Sequence, residues 1–75
     1  MNKIWILTQD RESVVSCDYI CIEPYDTANK EWAVVYKDVN KVIILGAYPK
    51  EEAEDILVQI YQSIVDKVNI FTMPE

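Results

Sequence analysis

One segment of helical periodicity constrains the fold of this 75-residue chain more than any other feature. Between residues 53 and 68, apolar residues recur at spacings of three and four, which is typical of a helix with one buried stripe. They are Ala53, Ile56, Leu57, Ile60, Tyr61, Ile64, Val65 and Val68. Pro49 suits a first helical position, and the carboxylates that follow it favour the positive end of a helix dipole. The sequence therefore predicts one amphipathic helix.

The rest of the chain predicts strands, because short runs of β-branched and aromatic residues alternate with polar turn formers. The runs are residues 3–8, 14–23, 31–36 and 41–48, and residues 69–75 resume an extended pattern. The first run is almost wholly apolar, so we expect it near the sheet centre with little exposure on either face. Gly46, the single glycine, predicts a bulge or a close backbone approach.

These segments predict an α+β fold. We expect a small antiparallel sheet of four to five strands, in the order β-β-β-β-α with a closing β in the five-stranded form. The sheet packs on the one amphipathic C-terminal helix. A chain of this length forms a single domain, residues 1–75.

Charge and composition exclude several classes of function. The net charge is -6 and the seven basic residues are scattered, whereas duplex nucleic acid is held by clustered lysine and arginine. No apolar stretch approaches the roughly 20 residues of a membrane span, and the opening residues do not resemble a signal peptide. We expect a cytoplasmic protein, or one in the host cytoplasm if it is viral, with no duplex nucleic acid and no membrane as partner.

The residues that carry most enzyme chemistry are missing. The chain has no histidine, so neither a Ser-His nor a Cys-His pair can form, and a single glycine cannot build a phosphate loop. Cys17 and Cys21 lie about 13 Å apart if both are in one strand, too far for a disulfide. The carboxylates of residues 51–55 fit a solvated helix start better than a cation site. We expect no enzyme activity, no catalytic residues, no metal and no cofactor.

Eight aromatic residues are many for so short a chain. They predict either a core with a subunit interface or a platform on which a flat ligand stacks. Trp32, Val34 and Tyr36 share one side of their strand. Because one helix covers only one face of a sheet, we expect these three residues to cover the other face by self-association, as a dimer or a larger homo-oligomer.

Three stretches carry a resemblance to a known family. They are Ile-Trp-Ile-Leu-Thr-Gln-Asp-Arg at residues 4–11, Ile-Leu-Gly-Ala-Tyr at residues 44–48 before the helix, and Asn-Ile-Phe-Thr-Met-Pro at residues 69–74. They resemble a family of very short proteins from phages, prophages and Firmicutes genomes. The resemblance implies a phage-type accessory protein, and small phage proteins of this kind include inhibitors of host defence.

Two functions follow as expectations. The first is a non-enzymatic protein that binds and sequesters a small nucleotide-derived signal, at a site formed by Trp5, Thr8, Gln9, Asp10, Arg11 and Tyr48. In that site Arg11 pairs with a phosphate, Gln9 or Asp10 reads a base or ribose edge, and an aromatic ring stacks. The alternative is a protein–protein interaction module that inhibits a host protein or serves a structural role, with its acidic surface as the contact. The polar residues after the first strand are also compatible with simple turn chemistry.

Overall fold

Residues 3–75 are described by a computed structural model and form six strands and one helix. The elements are β1 (Ile4–Leu7), β2 (Val14–Cys17), β3 (Ile20–Asp26), β4 (Glu31–Lys37), β5 (Val42–Pro49), α1 (Lys50–Val65) and β6 (Ile70–Thr72). The α+β class and the single C-terminal helix are confirmed. The strands, however, form two sheets of three, in the orders β2-β1-β6 and β3-β4-β5, rather than one sheet.

The two sheets arise from a break in the predicted strand 14–23. The chain bends at Asp18 and Tyr19, so β2 pairs antiparallel with β1 while β3 pairs antiparallel with β4. The Lys37 N–H donates to the Tyr19 carbonyl oxygen at 3.3 Å and fixes the corner. Polar and apolar residues are mixed on both faces of this segment, so their alternation does not reveal that the segment divides between two sheets.

β1 is the central strand of its sheet, as predicted, but only one of its faces is buried. Ile4 and Ile6 are fully buried in the core, whereas Trp5 is 50% exposed on the opposite face. The predicted closing strand is β6, which pairs in parallel with β1 and aligns Ile70 with Trp5. The expectation of little exposure on either face of β1 is therefore wrong at Trp5.

The β3-β4-β5 sheet contains the predicted bulge. Val34 pairs with Gly46 and Val35 pairs with Ile44, so Leu45 is the extra residue on β5. A Cβ atom at Gly46 would lie 2.7 Å from the Tyr48 ring. Only glycine leaves room for that ring. The bulge predicted at Gly46 is therefore confirmed, whereas the group that approaches Gly46 is a side-chain ring and not the backbone of the alternative prediction.

Helix α1 starts directly after β5, and Pro49 is its N-cap rather than its first helical residue. The helix ends at Val65 because Lys67 adopts a left-handed conformation with φ 61°. The N–H groups of Lys67 and Val68 donate to the carbonyls of Ile64 and Ser63, at 3.1 and 2.9 Å, which is the Schellman pattern of a helix end. Val68 consequently lies outside the helix.

The core lies between α1 and the two sheets. From the helix it contains Ala53, Ile56 and Ile60, but Tyr61, Val65 and Val68 of the predicted buried stripe are exposed. The other buried members are Ile4, Ile6, Cys17, Val34, Tyr36, Leu45, Tyr48 and Met73.

The side of β4 predicted to mediate self-association is not available for it. Val34 and Tyr36 are core residues, and the half-buried Trp32 packs against the same cluster. This face of β4 contacts the chain's own helix, so any association between copies must use another surface. Across residues 3–75 we find no helix that is long and apolar enough to cross a membrane.

Candidate functional site

The turn between β1 and β2 contains four of the six predicted site residues. The Thr8 hydroxyl donates to Asp10 Oδ1 at 2.7 Å, and the same oxygen accepts the Glu12 N–H at 2.9 Å. These two hydrogen bonds favour the ionised carboxylate and lower the pKa of Asp10. The Ser13 N–H closes the turn on the Thr8 hydroxyl oxygen at 3.2 Å. This is the arrangement of a side-chain-stabilised turn.

Arg11, in the same turn, holds a distant part of the chain. Its backbone is left-handed, with φ 66°. The guanidinium Nη1 donates to the Met73 carbonyl oxygen at 2.6 Å and to the Thr8 carbonyl oxygen at 3.3 Å. The cation expected to meet a phosphate is therefore directed at two backbone carbonyls, that of Met73 just beyond β6 and that of Thr8 in its own turn.

Tyr48 and Gln9 complete this arrangement. Tyr48 is only 2% exposed, and its hydroxyl donates to the Pro74 carbonyl oxygen at 2.6 Å. Burial, with a smaller effect from Glu52, raises its pKa to about 12. Gln9 joins β1 to β5: its N–H donates to the Leu45 carbonyl at 2.8 Å and its Oε1 accepts the Ala47 N–H at 2.9 Å.

We call this set of residues the polar clamp. Its members are Thr8, Gln9, Asp10, Arg11 and Tyr48, together with the segment 73–74 that they hold. The three stretches of the sequence resemblance meet here. Polar atoms of every clamp side chain are hydrogen-bonded within the chain, so the clamp has a structural role that needs no ligand.

Trp5 is separated from the other predicted site residues. It lies on the outer face of the β2-β1-β6 sheet, aligned with Ser16 on one side and Ile70 on the other, while Tyr48 is buried in the core. Val14 and Ile70 share the exposed apolar surface around Trp5. The predicted six-residue site is thus divided between a partly buried junction and an open sheet face.

A second location, beside the helix, has the geometry of a binding site. We call it the helix groove. It has a volume of about 400 Å³, and it lies between one flank of α1 and the corner that joins β2 to β3. Its lining residues are Cys17, Asp18, Ile20, Leu57, Val58, Ile60, Tyr61 and Ile64.

The groove exists because the helix is apolar over a wider arc than the sheets cover. At about 100° per residue, the apolar positions span roughly 200° of the helix circumference. Beyond the buried residues they continue around one flank as Ile64, Leu57, Tyr61, Val65 and Val58. The other flank carries Ser63, Glu52 and Gln59 and is polar. The exposed apolar surface of α1 is therefore confined to the flank that lines the groove.

The chemistry of the groove is that of apolar contact. Asp18 is the one charged residue among its lining residues, and none of them is a lysine or an arginine. Burial, followed by the nearby Asp18 carboxylate, raises the pKa of Cys17 to about 11. The thiol stays protonated at neutral pH, so Cys17 contributes a small apolar side chain rather than a nucleophile.

The sequence reasoning missed this groove, although the sequence contains a signal for it. The three- and four-residue spacing places residues 57, 61, 64 and 65 in the buried stripe and does not include Val58. The apolar stripe by which a surface helix contacts one core is typically narrower than 200° of its circumference. The wider stripe of this helix, which ends at Val58, indicates a second apolar contact.

No protein-family model, no curated protein and no solved structure matches the chain. Among residues 3–75, no group of three or more Cys, Asp or Glu side chains is placed to hold a metal ion. The function is therefore argued from the surfaces of the molecule.

Proposed function

We propose that the protein is a non-enzymatic interaction module that binds a segment of another polypeptide in the helix groove. With the sequence resemblance, this suggests a phage-type accessory protein that inhibits a host protein by occupying one of its segments. The observation that carries the proposal is the exposed apolar flank of α1, where Val58 is 62% and Tyr61 is 66% exposed. Apolar side chains gathered beside a concave groove are typical of a surface that another protein covers.

A polypeptide fits this surface better than a nucleotide does. Phosphate groups need lysine, arginine or a helix N-terminus, and the lining of the groove offers only the carboxylate of Asp18. The apolar surface also continues past the groove to Val65, which is more than half exposed. A partner that extends along the helix covers this surface, whereas a compact ligand leaves part of it in water.

Site-specific photocrosslinking tests the proposal in cells that produce the protein. A photoreactive phenylalanine analogue replaces Tyr61 at the groove, and in a matched variant it replaces Gln59 on the polar flank. We expect a discrete crosslinked polypeptide from position 61 and none from position 59. Equal crosslinking at both positions, or none at position 61, would contradict the proposal.

Nucleotide sequestration remains a second proposal, and a different observation favours it. Trp5 presents a half-exposed aromatic ring on the outer face of the β2-β1-β6 sheet, where a base could stack. A thermal-shift screen with cyclic nucleotides and ADP-ribose derivatives tests it. A shift confined to one nucleotide class and lost in Trp5→Ala would support it, and a flat response would reject it. Arg11→Ala is unsuitable as the test variant because Arg11 belongs to the polar clamp.

Self-association also stays a prediction. Light scattering at micromolar concentration measures it directly. A homo-oligomer is expected, and a strictly monomeric protein would remove the prediction.

A further inference from the structure

We infer that the segment bound in the helix groove is a basic amphipathic α-helix of a partner protein. This inference rests on the proposed function and specifies the chemistry of the partner. It follows from two properties of the groove: the spacing of its apolar side chains and the sign of the charge around it.

The spacing of the side chains favours a helix. Leu57, Tyr61 and Ile64 follow each other at spacings of four and three residues along the groove. They form a ridge of about 10 Å, or roughly two helical turns. A second helix packs its own rows of residues at three- and four-residue spacing against such a ridge. The matching ligand presents apolar residues at i, i+3, i+4 and i+7.

The charge around the groove favours a basic ligand. Asp18 lies in the lining, and Glu54 is one helical turn before Leu57 and Val58 on the same flank. Lys50 also lies on this flank, but its ammonium group sits over the Trp32 ring, 4.8 Å from the centroid. With a net charge of -6 on the whole chain, lysine and arginine on the ligand gain favourable electrostatic energy within about 10 Å, the Debye length at 0.1 M salt.

The same charge argues against a second copy of this chain in the groove. Two copies would bring net charges of -6 together, and the carboxylate of Asp18 in each groove would face an acidic molecule. Like charges that face each other across an interface lower its affinity and select against that partner. A basic helix has the opposite relation to every one of these groups.

A binding titration with a synthetic peptide tests the inference. The probe is an 18-residue peptide with leucine at i, i+3, i+4 and i+7 of each two turns, lysine and arginine beside this leucine face, and alanine and glutamine at the remaining positions, which favour a helix. We expect it to bind with an affinity that falls as sodium chloride is raised, because salt screens the charge attraction. Two control peptides isolate the two properties: a scrambled sequence of the same composition, and an acidic version with the same leucines. Both controls are expected to bind at least about tenfold more weakly.

Single substitutions in the protein identify the surface on which the peptide binds. Tyr61→Ser removes the most exposed apolar residue of the groove and should weaken binding at least about tenfold, whereas Gln59→Ser on the polar flank should change it less than about twofold. Asp18→Asn should weaken binding by a few fold, and the matched change Glu12→Gln, in the β1–β2 turn, should leave it the same. Each variant is first checked for folding by circular dichroism.

Three results would overturn the inference. The first is equal binding of the basic, scrambled and acidic peptides. The second is insensitivity of peptide binding to Tyr61→Ser. The third is that the protein forms a dimer and that Tyr61→Ser dissociates it, because the groove would then be occupied by a second copy of the chain. If photocrosslinking at position 61 succeeds but the basic peptide does not bind, the interaction function stands and the basic helix is rejected. If both experiments fail, the proposed function is rejected as well.

Discussion

The polar clamp and the helix groove differ in whether their side chains find partners within the chain. In the clamp, Arg11 and Tyr48 donate to the carbonyls of residues 73 and 74, and Gln9 pairs with the backbone of β5. In the groove, Val58 and Tyr61 have no apolar partner that removes them from water and remain more than 60% exposed. Each side chain of the polar clamp has a hydrogen-bond partner within the chain. The exposed apolar side chains of the groove have no part of residues 3–75 that covers them.

This difference separates residues that build the fold from residues that are free to bind. A polar cluster read from sequence resembles a ligand site because donors, acceptors and a cation lie close together. The same groups are equally suited to join distant parts of a small chain, and in this protein they do so. An exposed apolar flank has no such internal use, so it is the better indicator of a partner.

The largest expected effect is a difference in free energy of unfolding between substitutions at two neighbouring residues of α1. Ile60 is 1% exposed and Tyr61 is 66% exposed. We expect Ile60→Asp to unfold the domain, because an unpaired carboxylate in the core costs more than about 4 kcal/mol. Tyr61→Asp should change the free energy of unfolding by no more than about 0.5 kcal/mol. Urea unfolding followed by circular dichroism measures both, and equal destabilisation would show that the flank is part of the core.

Gly46→Ala should have the next largest effect. The added Cβ would lie 2.7 Å from the Tyr48 ring, so either the ring or the bulge must shift, at a cost of about 1–3 kcal/mol. The cost should fall when the ring is absent, so Gly46→Ala should be less destabilising in a Tyr48→Ala background. Urea unfolding of the four proteins in this cycle gives the coupling. Additive effects would mean that the ring does not require the glycine.

Arg11→Ala tests the clamp. Loss of the charged hydrogen bond to Met73 should lower the free energy of unfolding by about 1.5–3 kcal/mol. Lys30→Ala is the matched control, because Lys30 is also a basic turn residue with positive φ, 56°, and no hydrogen bond of its side chain is found within residues 3–75. Chemical unfolding of both variants should show a much smaller change at residue 30. Similar losses would attribute the effect to backbone conformation rather than to the guanidinium.

The smallest expected effect is a pH dependence. The hydrogen bonds from Thr8 and from the Glu12 N–H lower the folded-state pKa of Asp10 below its unfolded value of 3.8. The resulting stabilisation is fully present above pH 3.8 and is lost as pH falls through the lower folded value. Unfolding midpoints measured between pH 2 and 6 should therefore decline less steeply in Asp10→Asn. Asp26 has a lowered pKa as well, so part of the acid dependence should remain in this variant. An unchanged slope would mean that Asp10 contributes nothing to acid unfolding.

Local pattern was enough to predict much of the fold. The helix follows from the spacing of residues 53–68, the bulge follows from the single glycine, and the closing strand follows from the extended pattern after residue 69. The end of the helix was not predictable, because a lysine rather than a glycine takes the left-handed position at residue 67. The division into two sheets was not predictable either, since the bend at Asp18 and Tyr19 has no proline or glycine to mark it.

Closeness in sequence and chemistry predict a site at residues 5–11, and aromatic chemistry alone adds Tyr48 to it. The structure does bring Thr8, Asp10 and Arg11 together, but pattern alone could not show that the Met73 carbonyl would be the partner of Arg11, since 62 residues separate the two. It also could not show that the Tyr48 ring lies inside the core. The groove depends on which part of the helix circumference the sheets cover, which is a tertiary property.

The most direct measurement compares peptide affinity in Arg11→Ala and Tyr61→Ser, both in conditions where circular dichroism shows them folded. We expect Arg11→Ala to be less stable but to bind the basic helical peptide within about twofold of the unmodified protein. We expect Tyr61→Ser to be as stable as the unmodified protein but to bind the peptide at least about tenfold more weakly. The reverse pattern, with binding lost in Arg11→Ala and retained in Tyr61→Ser, would contradict the assignment of the clamp to folding and the groove to binding.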